Sequence, residues 1–288
     1  MPFSHAVIVY SSPAGTTRRI AHAMRDQCRE LGTATREVDL GARPDLDALL
    51  ATIHRAPQDL CLIIGSPVYA SHAVPPVMDF IARLPEGSGI PAVPFVTWGG
   101  ACSGMALLEM GQALAAMGLV PVGAAKILAV HSMMWRSADP IGEGHPDAED
   151  QRLVKDLVKR IHEQIDRDAL SAIPLDPLCP YSEERRAEMA KTTLAKAAAH
   201  MPAREVVEDR CTACGLCAEG CPTDAITLDP LPVFGESCIY CYRCVRECPE
   251  EALRADLSVV EERIRERART FDEQPLSQVF YVSDEADV

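Results

Sequence analysis

Eight of the twelve cysteines lie between Cys211 and Cys248, in two copies of one spacing. Cys211, Cys214, Cys217 and Cys221 recur 27 residues later as Cys238, Cys241, Cys244 and Cys248, and both copies read C-x-x-C-x-x-C-x-x-x-C-P. Three thiolates this close wrap one corner of a cubane core, whereas so short a chain cannot easily bring the fourth around to the same core. The closing Pro222 and Pro249 help turn the chain away and offer no N–H to compete for sulfur. Pairs of C-x-x-C also bind zinc, but two tetrahedral zinc sites would not need a third cysteine at the same spacing in both copies. The spacing therefore points to two 4Fe-4S clusters. The repeat itself predicts a small pseudo-symmetric domain.

This run resembles that of bacterial ferredoxins, and the resemblance implies a small α+β domain in which the fourth cysteine of each copy ligates the other cluster. One cluster then takes Cys211, Cys214, Cys217 and Cys248, and the other Cys238, Cys241, Cys244 and Cys221. The remaining cysteines are scattered. Cys28 and Cys61 read as small hydrophobes in a helix and a strand. Cys102, after Gly99-Gly100, stands in a loop that could face a ligand, and Cys179 has no ligand spacing.

Charge narrows the partners. The chain carries a net charge of -14, and residues 211–288 hold 16 acidic against 7 basic side chains. Such a surface repels nucleic acid and anionic membranes and suits docking of a basic redox partner protein on the cysteine-rich end. No stretch approaches the roughly 18 apolar residues of a membrane helix, so membrane insertion is not expected. The start, Met-Pro-Phe-Ser-His, lacks a basic segment ahead of an apolar one. The expectation is a cytoplasmic protein, where many cysteines signal metal or redox chemistry rather than disulfides.

Ahead of the cysteines, short apolar runs alternate with amphipathic stretches, the pattern of a parallel sheet flanked by helices. Strands are expected at Phe3–Tyr10, Thr35–Leu40, Leu60–Ile64, Val93–Thr97 and Val120–Val130. Helices are expected at Thr16–Leu31, within Pro44–Arg55, and at Met105–Met117 and Asp147–Leu170. The domains read as 1–170 for this doubly wound five-stranded unit, 171–202 for a proline-marked linker with a helix over Ser182–His200, 203–255 for the cysteine repeat, and 256–288 for a C-terminal helix and acidic tail. The helix over Glu261–Arg269 is expected to cover the cysteine-rich domain. The tail includes Asp284, Glu285 and Asp287, while Val279–Val282 could add a strand or pack on a neighbour.

The first strand runs into Ser11-Ser12-Pro13-Ala14-Gly15-Thr16-Thr17 and then a helix. A hydroxyl-rich turn at a helix N-terminus offers N–H groups and a favourable dipole to a phosphate. It holds no lysine, and neither G-x-x-x-x-G-K-[ST] nor G-x-G-x-x-G occurs, which disfavours a nucleoside triphosphate or a dinucleotide. A monophosphate without a protein cation close by fits better. V-I-V-Y-S-S-P-A-G-T-T-R-R-I-A resembles the FMN-phosphate signature of flavodoxins, with Pro13 and Ala14 in place of two common hydroxyl residues. The resemblance implies FMN at the switch point between strands one and three. It also implies isoalloxazine-binding loops at Ser66, Pro67, Val68 and Tyr69 and at Thr97, Trp98, Gly99 and Gly100, with Tyr69 and Trp98 as aromatic candidates. His72 and His131 lie near strand ends on the same side, and Met133, Met134 and Trp135 could shield the ring or close the core.

Together the halves resemble flavodoxin–ferredoxin fusion proteins, a flavodoxin-like domain followed by a bacterial-type two-cluster ferredoxin domain. The resemblance implies an electron-transfer iron–sulfur flavoprotein relaying electrons between two 4Fe-4S clusters, FMN and a redox partner protein. The rival is an FMN-dependent oxidoreductase reducing a small acceptor such as a quinone, and a third possibility is a redox sensor. Too few residues remain for a second Rossmann unit, so direct reduction by NAD(P)H is not expected.

Overall fold

A computed structural model describes residues 3–55, 59–166 and 171–282. Strands β1 (His5–Tyr10), β2 (Ala34–Asp39), β3 (Leu60–Tyr69), β4 (Pro91–Trp98) and β5 (Gly123–Leu128) form a parallel sheet in the order 2-1-3-4-5. Helices α1 (Thr16–Glu30), α2 (Leu46–Arg55), α3 (Pro75–Ile81), α4 (Ala106–Ala116) and α5 (Ala148–Asp166) connect or follow these strands. Period-two alternation divides the strands between two cores. Leu62 and Ile64 pack with Leu49, Phe80 and Leu107 under α2–α4, while Cys61 and Ile63 pack with Ile20, Met24, Leu157 and Ile161 under α1 and α5. Cys28 and Cys61 are fully enclosed in the second core, and burial pushes the Cys28 thiol up to about 12.

The sheet has one more long strand than the five expected. β6 (Gln278–Tyr281) pairs antiparallel with β5, Gln278 opposite Lys126 and Tyr281 opposite Gly123. An antiparallel edge strand on a parallel sheet needs no crossover helix. The acidic residues Asp284, Glu285 and Asp287 lie outside the described residues, as does the expected helix end at Leu170. β3 also runs five residues past Ile64 and turns into a two-residue return at His72–Ala73, so Ser66–Tyr69 end a strand rather than form a loop.

Residues 171–203 pack instead of spanning freely. Ile173, Leu178 and Cys179 are buried in the first core. The single helix expected over Ser182–His200 is two, α6 (Glu183–Met189) and α7 (Leu194–Ala198). The break has a local cause, because the Thr193 hydroxyl accepts from the Lys196 N–H and caps a new helix.

The repeat is visible in the backbone. Ala213, Gly215 and Asp224 have φ of 51°, 83° and 52°, and their counterparts Tyr240, Tyr242 and Glu251 have 55°, 53° and 46°. Left-handed conformations cost about 1–3 kcal/mol in non-glycine residues and turn successive N–H groups into a concavity suited to anionic centres. A short hairpin, Ile226–Leu228 with Pro232–Phe234, and an antiparallel pair that joins the two ends of the unit, Glu205–Val206 with Leu253–Arg254, complete it.

Candidate functional site

At the switch point, between β1 and β3, a cavity of about 290 Å³ opens at the carboxyl ends of the strands. Ala14, Thr16, Thr17, Pro67, Val68, Tyr69, Thr97, Trp98 and Gly99 line it. Ser11, Ser12, Pro13, Gly15, Ser66 and Gly100 are not among its lining residues. Ser12 accepts from the Arg18 N–H at 2.9 Å, and its carbonyl accepts from Gly15 at 3.2 Å. Gly15, with φ of 89°, caps α1. Of the first N–H groups of α1, those of Thr16 and Thr17 are left free for a ligand among the described residues. The buried Ser11 hydroxyl has no partner among the described residues. Such a cradle of N–H groups, hydroxyls and a helix dipole suits a phosphate. Ser66 is structural: its hydroxyl donates to the Pro67 carbonyl and accepts from Val74.

Thr17 and Thr97 share a hydrogen bond of 2.8 Å, tying the phosphate-side loop to the end of β4. Tyr69 is buried, and enclosure raises its phenol above the ordinary range. Trp98 is 1% exposed with its ring 5.2 Å from Lys126 Nζ, so it is a core residue as well as a wall. A Cβ on Gly99 would lie 2.5 Å from the His131 ring, and one on Gly100, with φ of 73°, 2.6 Å from Ile141. His131 lines the cavity, and burial pulls it down to about 4, so it is neutral at pH 7 with Nδ1 accepting from the Met133 N–H.

His72 is not at the cavity. Its Nδ1 lies 2.7 Å from the Glu109 carboxylate and its Nε2 3.0 Å from the Met189 carbonyl. Both are acceptors, so the imidazolium satisfies both contacts, and Glu109 raises its pKa. A raised folded pKa stabilises fully below the unfolded value of about 6.5 and the gain is lost as pH rises through the folded one. The difference in urea midpoint between wild type and His72→Asn is therefore expected to be largest at acidic pH and to shrink above neutrality; a pH-independent difference would show that charge is not involved.

The roof of the cavity was not legible in the sequence. Helix α8 (Ser258–Phe271) contributes Val260, Arg263, Ile264 and Arg267, and residues 192–201 close a second side. Instead of covering the cysteine-rich unit, α8 packs Val260 and Ile264 on Ala101 and Met134, in the loops after β4 and β5. Its apolar residues recur every fourth position, but that stripe does not name the body it packs on. Arg267 donates to the Ser71 hydroxyl at 2.6 Å and to the Cys102 sulfur at 3.6 Å.

All eight repeat cysteines are free thiols gathered around two hollows. Cys211, Cys214, Cys217 and Cys248 line one; Cys221, Cys238, Cys241 and Cys244 line the other. Each hollow thus takes three thiols from one copy and its fourth from the other, a donor set that fits a 4Fe-4S cluster. The second hollow adjoins the cavity: Ile239 lines both, and Tyr240 beside it lines the cavity.

Arg246 spans the junction. It donates to the Pro13 carbonyl at 3.4 Å and the Cys241 carbonyl at 3.1 Å, with its guanidinium 4.9 Å from the Trp135 ring. The phosphate-side loop therefore does have a cation beside it, supplied by the cysteine-rich unit more than 200 residues away. Trp135 serves this contact, while Met133 lines the cavity and Met134 fills the core. Arg43 closes the same junction on Asp224 at 2.5 Å and the Ala218 carbonyl at 2.6 Å.

Residues 204–227 and 232–254 match the family model of the 4Fe-4S binding domain. No curated protein matches the chain. Among solved structures, a flavodoxin from the domain Archaea is 22% identical over 56% of this chain and 99% of its own, with a TM-score of 0.42. Flavodoxin 1 from Bacillus cereus is 16% identical over 54% and 95%, at 0.42. The rubredoxin oxygen:oxidoreductase of Desulfovibrio gigas is 18% identical over 58% of this chain but only 37% of that one, at 0.46. No described helix is long and apolar enough to cross a membrane. By its strand order and its cysteine repeat, the chain joins a sheet of flavodoxin topology to a 4Fe-4S binding domain.

Proposed function

We propose that the protein relays electrons between a partner protein, two 4Fe-4S clusters and FMN. The observation that carries this reading is the shared wall at Ile239, which sets the second hollow against the flavin cavity. Clusters pass single electrons and FMN holds one or two, so the pair converts between one- and two-electron chemistry. Thr16 and Thr17 hold the phosphate, and Tyr69, Thr97, Trp98 and Gly99 form the ring's surroundings. Cys238, Cys241, Cys244 and Cys221 hold the proximal cluster; Cys211, Cys214, Cys217 and Cys248 hold the distal one.

The distal end is the port. Cys214 is exposed, and Leu216, Leu228 and Val233 are 51%, 39% and 51% exposed in the same module. Exposed apolar side chains on an acidic module, Leu216 and Leu228 at the distal hollow among them, fit a redox partner with an apolar centre and a basic rim. Eight free thiols at cluster spacing, which an oxidising compartment would tend to pair as disulfides, support the cytoplasm as the proposed setting. Anaerobic purification should yield about eight iron, about eight sulfide and one FMN per chain, with both cofactors titrating optically and by EPR. Zinc alone, or no bound flavin, overturns the reading, as does rapid flavin bleaching by NADH or NADPH without a reductase.

A second reading rests on Arg267 and Cys102, which line the cavity. It holds that FMN reduces a small acceptor, such as a quinone, with electrons fed by the clusters. Rapid reoxidation of the reduced protein by a soluble quinone, saturable in quinone, would favour it.

A further inference from the structure

We infer that the two clusters are electrically unequal, the proximal one having the higher potential, because Arg204 places an uncompensated positive charge on it. This rests on the two-cluster reading above. The cysteine spacing is identical in both copies, so any difference must come from the surroundings.

Arg204 Nη1 donates to the Cys238 sulfur at 2.6 Å. Its guanidinium lies 4.3 Å from the Phe234 ring and 5.1 Å from the Tyr240 ring. Among the described residues it makes no ion pair, and its Nε is buried without a hydrogen-bond partner. Two aromatic faces hold the cation without neutralising it. Arg246, on the Cys241 carbonyl, adds a second positive charge nearby. Arg243 also lines this hollow, but Glu247 pairs with it at 2.7 Å.

The distal hollow has the opposite lining: its one charged wall residue among those described is Glu250. Local backbone N–H groups serve both copies, at Cys217 in the first and at Cys241 and Cys244 in the second. The proximal hollow gains further N–H donors, from Ala225 to Cys221 and from Tyr240 to Cys238, each at 3.3 Å.

Reduction adds one negative charge to a cluster. A fixed cation and hydrogen bonds to its sulfurs stabilise the reduced form and raise its potential. Solvent acts the other way, since water reaches Cys214 at the distal site. Water there is mobile and screens the charge, whereas Arg204 acts at contact distance within a partly enclosed site, where charge interactions are stronger. The cation therefore decides the order. An electron delivered at the exposed distal end then runs downhill to the cluster beside the flavin, and the proximal site is an electron store next to a cofactor that can take two.

The test is an EPR-monitored redox titration of the intact protein as wild type, Arg204→Gln and Arg204→Lys. Two cluster signals with separate midpoints are expected, and in Arg204→Gln the higher one moves down while the lower stays. Arg204→Lys, which keeps the charge, moves it less; a purely structural role would not separate Lys from Gln. If Arg204→Gln does not retain clusters, Arg246→Gln takes its place, with a downward shift of the same signal expected. Movement of the lower signal, equal movement of both, or no movement overturns the inference. A wild-type protein lacking a second cluster overturns the two-cluster reading itself, which separates the two failures.

Discussion

Glu273→Ala is expected to cost about 3–5 kcal/mol of folding stability, because it strands Lys126 as an unpaired buried charge. Lys126 is 4% exposed, and its ammonium lies 2.7 Å from the Glu273 carboxylate. The same carboxylate accepts from the Ser103 N–H at 2.8 Å, from the Ser103 hydroxyl at 2.7 Å and from the Tyr181 hydroxyl. One side chain between α8 and β6 thereby fastens β5, the loop after β4 and the segment leading into α6. Burial by itself would raise the Glu273 pKa, but Lys126 and the donors outweigh it and hold the carboxyl below its ordinary range. A lowered folded pKa gives stability above the unfolded value of about 4.3 that is lost as pH falls through the folded one. Urea unfolding should show the full loss at neutral pH and a smaller one in acid. Replacing the pair together by Lys126→Met and Glu273→Leu should recover part of it, since no charge is then left unpaired although the Ser103 and Tyr181 donors still lose their acceptor. A loss below about 1 kcal/mol in Glu273→Ala would mean that the pair is solvated.

On the relay proposed above, Cys241→Ala should remove the proximal cluster and with it the path to the flavin. Iron and sulfide are expected to fall from about eight to about four per chain, and photoreduced distal cluster should no longer pass its electron to FMN on the timescale of the wild type. Cys214→Ala is the control, losing the distal cluster and partner reactivity while flavin and proximal cluster still exchange electrons. If Cys214→Ala stops flavin reduction by the remaining cluster and Cys241→Ala does not, the order of the relay is reversed.

The parallel sheet was legible because its signals are local. The apolar run Leu60–Ile64 and the turn Ser11–Thr17 declare a buried strand and a helix start within a few residues. The cysteine repeat was legible for the same reason, and its left-handed residues at 213 and 240 follow the same spacing. What stayed hidden are contacts between distant segments. Val279–Tyr281 looks alike whether it joins a sheet or a neighbour, and only its register with Ala125–Gly123 decides. Arg204 and Arg246 are ordinary basic residues until folding sets one on the Cys238 sulfur and the other between Pro13 and Cys241. The lining of the cavity was read for its floor, whereas α8, α7 and Tyr240 form its roof.

The return of the chain to the sheet as β6 has a kinetic meaning for the relay. The chain stays on the α/β body through residues 173–201 and, after the cysteine repeat, returns to it through α8 and β6, so the cysteine-rich unit is tethered at both ends rather than hung from one linker. A module held at two points explores far less space than one held at a single point, and its effective concentration against the flavin rises accordingly. Such a unit cannot swing out to meet a partner and swing back. On the relay proposed above, turnover is then set by how fast partners arrive at and leave the exposed end, not by a domain excursion.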